Sequence, residues 1–247
     1  MSRDLDFAHR LADACDTLTM ARFRALDLHV DTKPDLSPVS EADRAAEEAV
    51  RSLVASSGRG EEVFGEEEGG AEGGTRWIVD PIDGTKSYVR GAPVWATLLA
   101  LEREGEVVCA LASAPALGRR WWAERGGGAF AEGSPIRVSG VAQVADAAVS
   151  CTDVAWRMPP SFHTLAASAW SARGYPDFWQ YCLIAEGTVD IGCDPVMALW
   201  DFAGVRLIIE EAGGRCTTFA GGEPAHGESF LATNGLVHDE ASRILCG

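Results

Sequence analysis

Two carboxylates three residues apart, Asp80 and Asp83, stand in the run Asp80-Pro81-Ile82-Asp83-Gly84-Thr85-Lys86-Ser87, directly after Trp77, Ile78 and Val79. The bulky and β-branched triplet predicts the end of a buried strand. Pro81 has no N–H to give a ladder and Gly84 permits a tight turn, so the chain is expected to leave the sheet here. Carboxylate and carbonyl oxygens at such a turn suit a hard cation such as Mg²⁺. The amides of Gly84 and Thr85, if they open the next helix, would face a phosphate. The alternative is an Asp-Pro, Asp-Gly surface turn whose acids face solvent.

Two further segments bear on that choice. Val63-Phe64-Gly65-Glu66-Glu67-Glu68 ends a short apolar run in acids at a glycine, and Trp200-Asp201-Phe202-Ala203-Gly204 sets one acid inside an apolar helical stretch. A buried acid is costly unless it is paired or metal-bound. Two unit charges about 4 Å apart repel by roughly 4 kcal/mol at an effective dielectric of about 20. Carboxylates converging from these segments therefore need a divalent metal or protons, and metal is the expectation.

With 247 residues, 47% of them hydrophobic, the chain can bury a sizeable core. A single catalytic domain over 1–247 is expected, with a metal and phosphate half over about 1–137 and a substrate half over about 138–247. Its 21 basic against 37 acidic residues give a net charge of −16, which argues against nucleic acid or an anionic membrane as partner. Seven cysteines without regular spacing argue against a disulfide framework, and no Cys-x-x-Cys or His-x-x-x-His spacing suggests zinc. The first residues are acidic and lack an apolar signal core, and no apolar run reaches membrane-spanning length. A cytoplasmic location is expected.

Apolar spacing predicts a helix from Leu5 to about Arg24 and a second from Glu41 to about Ala55 with Ser40 as its N-cap. Strands are expected at Leu28–Thr32, Trp95–Glu102, Val107–Ser113, Arg120–Glu124 and Val149–Asp153. Further helices are expected at Ser161–Ala172, Tyr181–Glu186 and Met197–Glu211, with Val189–Gly192 extended. Gly69–Gly74 reads as a flexible surface loop, because it precedes a strand and not a helix. Elements alternate in layers and not as regular βαβ repeats.

Gly65-Glu66-Glu67, Asp80-Pro81-Ile82-Asp83-Gly84-Thr85, Trp200-Asp201-Phe202-Ala203-Gly204 and Glu211-Ala212-Gly213-Gly214 together resemble the signatures of the inositol monophosphatase superfamily, in its order and near its spacing. The resemblance runs from the first helix to Ala232-Thr233-Asn234-Gly235. It implies an α/β fold, a layered α/β/α/β/α sandwich with the site between its halves. It also implies an Mg²⁺-dependent phosphomonoesterase with about two or three ions per active site. Carried over by residue, Glu66, Asp80 and the Ile82 carbonyl would hold one metal, and Asp80, Asp83 and Asp201 a second. Glu67 would stand beside a third ion and is grouped with Asp43 and Thr85, the pair that would orient and deprotonate the attacking water. Glu66, Ile82, Asp83, Gly84, Thr85 and Asp201 would contact the phosphoester. Read without the resemblance, Asp43 is a first-turn helix acid favoured by the dipole.

A narrower resemblance, to the histidinol-phosphate phosphatases of that superfamily, rests on four segments. These are Lys33 to Glu47, Tyr88 to Thr97, Ser113 to Trp122 and Asp177 to Gly187. It implies L-histidinol phosphate as substrate, a small phosphorylated metabolite on the way to histidine, with inositol monophosphate or another small phosphoester as the alternative. A noncatalytic cation-binding protein is disfavoured by Thr85, which cation binding alone does not need. Arg173, Asp177 and Asp194 fall on the substrate side. Pro176 stands where that group carries glycine, and Asp194 where family members carry glutamate. A carboxylate at Asp194 could pair with the amino group of histidinol or accept bonds from inositol hydroxyls, and the amine is expected to meet Asp194 or Asp177. Family members are often homodimers. Trp95, Trp121 and Trp122 are expected to serve strand packing.

Overall fold

A computed structural model of the chain describes residues 2–34, 36–70, 73–153 and 158–247. Asp35, in the Lys33–Glu47 segment, and Ala71 and Glu72, in the glycine-rich loop, lie outside the described residues. The order opens with α1 (Arg3–Arg22), a hairpin of β1 (Val30–Thr32) and β2 (Pro38–Ser40), then α2 (Glu41–Ser56). As the sequence suggests, Ser40 caps α2. Its hydroxyl accepts from the Ala42 N–H, and the Asp43 carboxylate accepts from the Ser40 N–H at 2.8 Å, closing a capping box.

A seven-stranded sheet follows: β3 (Glu62–Gly65), β4 (Thr75–Asp83), β5 (Ala96–Arg103), β6 (Glu106–Ala114), β7 (Arg119–Glu124), β8 (Gly128–Ala131) and β9 (Ser134–Ile136). Its spatial order is its chain order, with β3 parallel to β4 and every later pair antiparallel. A short α3 (Thr85–Val89) interrupts between β4 and β5. The remainder is β10 (Ala148–Ser150), α4 (Pro160–Ser168), β11 (Ser171–Arg173), α5 (Phe178–Ala185), β12 (Ile191–Met197), α6 (Leu199–Glu211), β13 (Arg215–Thr217), β14 (Glu228–Thr233) and α7 (His238–Cys246). Its strands form a five-stranded sheet in the order β11-β10-β12-β14-β13.

Alternation along the strands decides which face meets which helix. Trp77, Val79, Leu99, Leu101 and Leu111 pack on Leu5, Phe7 and Leu11 of α1 and Val50 and Val54 of α2. On the opposite face, Leu98, Ala110, Ala112 and Trp121 meet Phe178, Tyr181 and Ile184 of α5 and Phe202, Val205 and Ile209 of α6, which also cover Phe230 and Ala232 of β14. The far side of the smaller sheet, with Val149, Ile191, Cys193 and Leu231, is covered by Phe162 and Leu165 of α4 and Ala241 and Leu245 of α7. The layers are therefore α/β/α/β/α, as the resemblance implies. Six cysteines are buried thiols and Cys246 is an exposed one. Among the described residues no helix is long and apolar enough to cross a membrane.

Five expectations change. The chain does not leave the sheet at Pro81: β4 continues to Asp83, which pairs with Ala96, across a register shift between Asp80 and Asp83. A bulge is where a central strand tolerates proline, and the Thr97 hydroxyl donates to the Pro81 carbonyl at 2.8 Å. The helix expected over Ser161–Ala172 stops at Ser168, because Ser171–Arg173 pairs in parallel with β10. Local periodicity loses there to a tertiary ladder. Met197 closes β12 and does not open α6. The strand expected at Leu28–Thr32 shortens to Val30–Thr32, and the one expected at Val149–Asp153 lies at Ala148–Ser150.

Candidate active site

On β4, Ile78 packs against Ala203 of α6, so Asp80, two residues on, points to the same face. The bulge then brings Asp83 beside it, and the first turn of α6 supplies Asp201. One oxygen from each of these three carboxylates lies within 4.8 Å of the others. Asp201 also caps its own helix, accepting from the Ala198 N–H at 3.2 Å. Asp80 accepts from the Ile82 N–H at 2.9 Å, and Asp83 from the Phe178 N–H at 2.6 Å. Burial, then the charges of Glu66, Asp83 and Asp201, push Asp80 well above the usual carboxylate range. Burial, then Asp177 and Asp201, do the same to Asp83, and burial followed by Glu66 raises Asp201 to about 7. Three acids so placed hold protons or a cation.

Glu66 and Glu67 leave β3 at Gly65. The fully buried Glu47 of α2 reaches under this turn and accepts from the N–H groups of Glu67 at 2.8 Å and Glu68 at 3.1 Å. A Cβ on Gly65 would lie 2.2 Å from the Glu47 carboxyl carbon, so only glycine allows this approach. Lys33, on the β1–β2 loop, donates to Glu66 at 2.7 Å and Glu67 at 2.8 Å. Burial raises Glu67 to about 7 against the pull of Lys33. Glu66 is thus brought to the cleft, bonded to Lys33 and in side-chain reach of Asp80, beside the tight triad. Neither Glu47 nor Lys33 carries a sequence-assigned role, since nothing local in a helix glutamate or a loop lysine reveals its partner.

Asp43 is fully buried, and burial raises its carboxyl. The Thr85 hydroxyl donates to the Ile82 carbonyl at 3.0 Å and stands 3.3 Å from Asp43 Oδ1. Between them Gly84 adopts φ +86°, a left-handed conformation that β-carbon-bearing residues avoid, and opens α3. The sequence-predicted Asp43, Ile82, Gly84 and Thr85 therefore meet at one corner.

The facing wall comes from the second sheet and α5. Asp177 takes φ +55° and ψ −138°, a strained conformation for a non-glycine residue that costs about 1–3 kcal/mol. A Cβ on Gly84 would lie 3.0 Å from Asp177 Oδ2, so this carboxylate stands directly over the glycine turn. Burial, then Asp194, raises Asp177 to about 6, with Lys86 pulling the other way. Asp194 is buried and already served: Thr152 N–H, Thr152 hydroxyl, Gln180 Nε2 and Tyr181 hydroxyl all donate to it, at 3.1, 2.8, 2.7 and 2.7 Å. Burial raises it against those bonds. Asp83, Asp177, Asp194 and Asp201 line one cavity of about 540 Å³ that also takes in Lys86 and Thr152. An adjoining cavity of about 380 Å³ is bounded by Glu66, Gly84, Thr85 and Pro176. Arg173 lines neither: it is exposed on the edge strand β11 and bonds the Ala172 carbonyl.

The donor set of the triad is all oxygen and all anionic, and it fits a hard divalent ion. The inositol monophosphatase family model matches residues 1–245. The chain is 49% identical to the histidinol-phosphatase of Mycobacterium tuberculosis, over 96% of this chain and 95% of that one. It is 47% identical to that of Streptomyces coelicolor, over 96% and 94%. The solved Thermotoga maritima IMPase superposes with a TM-score of 0.92 at 30% identity, over 99% of this chain and 97% of the other. With its layers and its acidic corner in that arrangement, the chain belongs to the inositol monophosphatase family.

Proposed function

We propose that this chain hydrolyses L-histidinol phosphate to L-histidinol and phosphate. The observation that carries the reading is one cleft with two chemistries: the buried triad at one end and the Asp177 carboxylate facing it. A substrate with a phosphate at one end and an ammonium at the other matches both. Histidinol-phosphatase is also the name borne by relatives at 39–49% identity. Inositol monophosphate has no cation to offer Asp177.

Asp80, Asp83, Asp201, Glu66 and the Ile82 carbonyl would hold Mg²⁺. Bound there, the ions would neutralise phosphate charge and acidify water. The chain's own residues do the rest. Thr85 and Asp43 orient the attacking water, and Asp43, its proton affinity raised by burial, takes the proton. Glu67 steadies this corner through Lys33. Gly84 lets the phosphate approach backbone that a side chain would cover. Residues about 1–137 supply this machinery, and about 138–247 supply Asp177, Asp194 and Asp201. Arg173 lies away from the described cleft, so the substrate contacts are assigned to Asp177 and its neighbours. A cytoplasmic homodimer with about two or three ions per site completes it.

A phosphate-release panel tests the proposal: histidinol phosphate, inositol monophosphate and a nucleotide bisphosphate, with Mg²⁺ and with chelator. Histidinol phosphate should give the highest kcat/KM, and chelator should silence all three. Preference for inositol monophosphate would overturn the substrate; release in chelator would overturn the chemistry.

A further inference from the structure

Thr152 has no part in the reaction as described, yet its side chain ties the second sheet to α5 within the wall that faces the triad. It follows β10, and its hydroxyl lies 2.8 Å from Asp194 Oδ2, 2.9 Å from Gln180 Nε2 and 3.2 Å from the Asp177 nitrogen. The directions are fixed by what each group can do. The Asp177 N–H and the Gln180 Nε2 only donate, and the Asp194 carboxylate only accepts, so the Thr152 O–H points at Asp194 and both of its lone pairs are taken. The Thr152 N–H adds a second bond to Asp194, at 3.1 Å.

Asp194 therefore grips Thr152 twice, and Thr152 grips Asp177. The next N–H along, that of Phe178, is held by Asp83 from the opposite wall. Two successive backbone N–H groups are pinned to different walls, at a residue whose φ of +55° would otherwise relax. The Asp177 carboxylate owes its place over Gly84 to those two bonds.

We infer that Thr152 is a positioning residue: by fixing the backbone of Asp177 it sets the affinity for the substrate's ammonium group, and Asp194 acts through Thr152 and not as a direct ligand of the amine. This rests on the histidinol phosphate reading. Of the two carboxylates that the sequence offers for the amine, Asp194 and Asp177, it selects Asp177.

The test uses the full chain with Mg²⁺ and two esters, histidinol phosphate and the amine-free glycerol 2-phosphate. Thr152→Val keeps the shape and removes the hydroxyl. It should raise KM for histidinol phosphate about tenfold with kcat nearly constant, and should affect glycerol 2-phosphate much less. Thr152→Ser, which keeps the O–H, should restore KM. Should Thr152→Val fail to fold, Thr152→Ala carries the same comparison. Unchanged constants in Thr152→Val, equal losses on both esters, or a serine variant as impaired as valine would overturn the inference. Asp177→Asn separates the levels. A loss confined to the amine-bearing ester, beside an unaffected Thr152→Val, defeats only the positioning role. Equal losses on both esters in Asp177→Asn defeat the substrate reading beneath it.

Discussion

Asp83 answers to two neighbours at once. One of its oxygens accepts from the Phe178 N–H, and its carboxylate shares the triad with Asp80 and Asp201. Asparagine keeps the shape and can still accept from Phe178, but it removes the charge a divalent ion needs. Asp83→Asn should therefore leave the melting temperature of the metal-free protein equal or higher, since a buried like-charge contact is relieved. Phosphate release should be abolished at any Mg²⁺ concentration. Turnover restored by excess Mg²⁺ would show the residue to be dispensable for the chemistry. Thr85 makes the contrasting case. Its hydroxyl touches Asp43 and the Ile82 carbonyl, so Thr85→Ala should slow the chemical step by about 10²–10⁴-fold with Mg²⁺ affinity little changed. A large loss of Mg²⁺ affinity with normal turnover at saturating metal would contradict that role.

The element that carries most of the site is β4 with its bulge and the glycine turn, and it is held from below by α2. Glu47 fixes the Gly65–Glu68 turn from the fourth residue after Asp43 on the same helix face, so α2 sets Glu66 and Glu67 as well as the Asp43 carboxylate beside Thr85. Gly65→Ala would drive a methyl group to 2.2 Å from the Glu47 carboxyl. It should cost about 1–3 kcal/mol in denaturant unfolding and also impair turnover, by moving Glu66 and Glu67. Wild-type stability and activity in that variant would mean that the turn has slack. The same elements show what the sequence could and could not convey. Ser40, Asp43 and the helix behind them are local signals, written in capping chemistry and a 3.6-residue period, and they were readable. So were the acids at Asp80, Asp83 and Asp201, as a motif. The strand at Ser171–Arg173 was not, because three residues have no period of their own and are extended only by the ladder to β10. Neither was the bulge that keeps Pro81 in the sheet, nor Thr152, Lys33 and Glu47, whose roles are bonds to residues tens of positions away.

At the scale of the molecule, the five layers press carboxylates from β4, α5 and α6 into one wall-to-wall contact, with a stability consequence. Burial raises Asp201 to about 7, Asp177 to about 6 and Glu67 to about 7, and lifts Asp80 and Asp83 as well. Each folded value exceeds that of the unfolded chain, near 4 for a free carboxyl. The folded state then binds more protons than the unfolded one, so stability falls as pH rises. The contribution of these groups is complete below about pH 4 and is lost as pH climbs through about 7. Chelated protein should accordingly melt at a lower temperature at pH 8 than at pH 5.5. Mg²⁺ should add more stability at pH 8, where it replaces absent protons, than at pH 5.5, where it must displace them. The net charge of −16 pushes the metal-free slope in the same direction, so Asp201→Asn serves as the control. It removes one raised carboxyl from the cluster and hardly alters the global charge, and should visibly flatten the metal-free slope. A slope that is flat or rising in the chelated wild type, or one unchanged in Asp201→Asn, would mean that the buried acids are not the groups that couple protons, metal and fold.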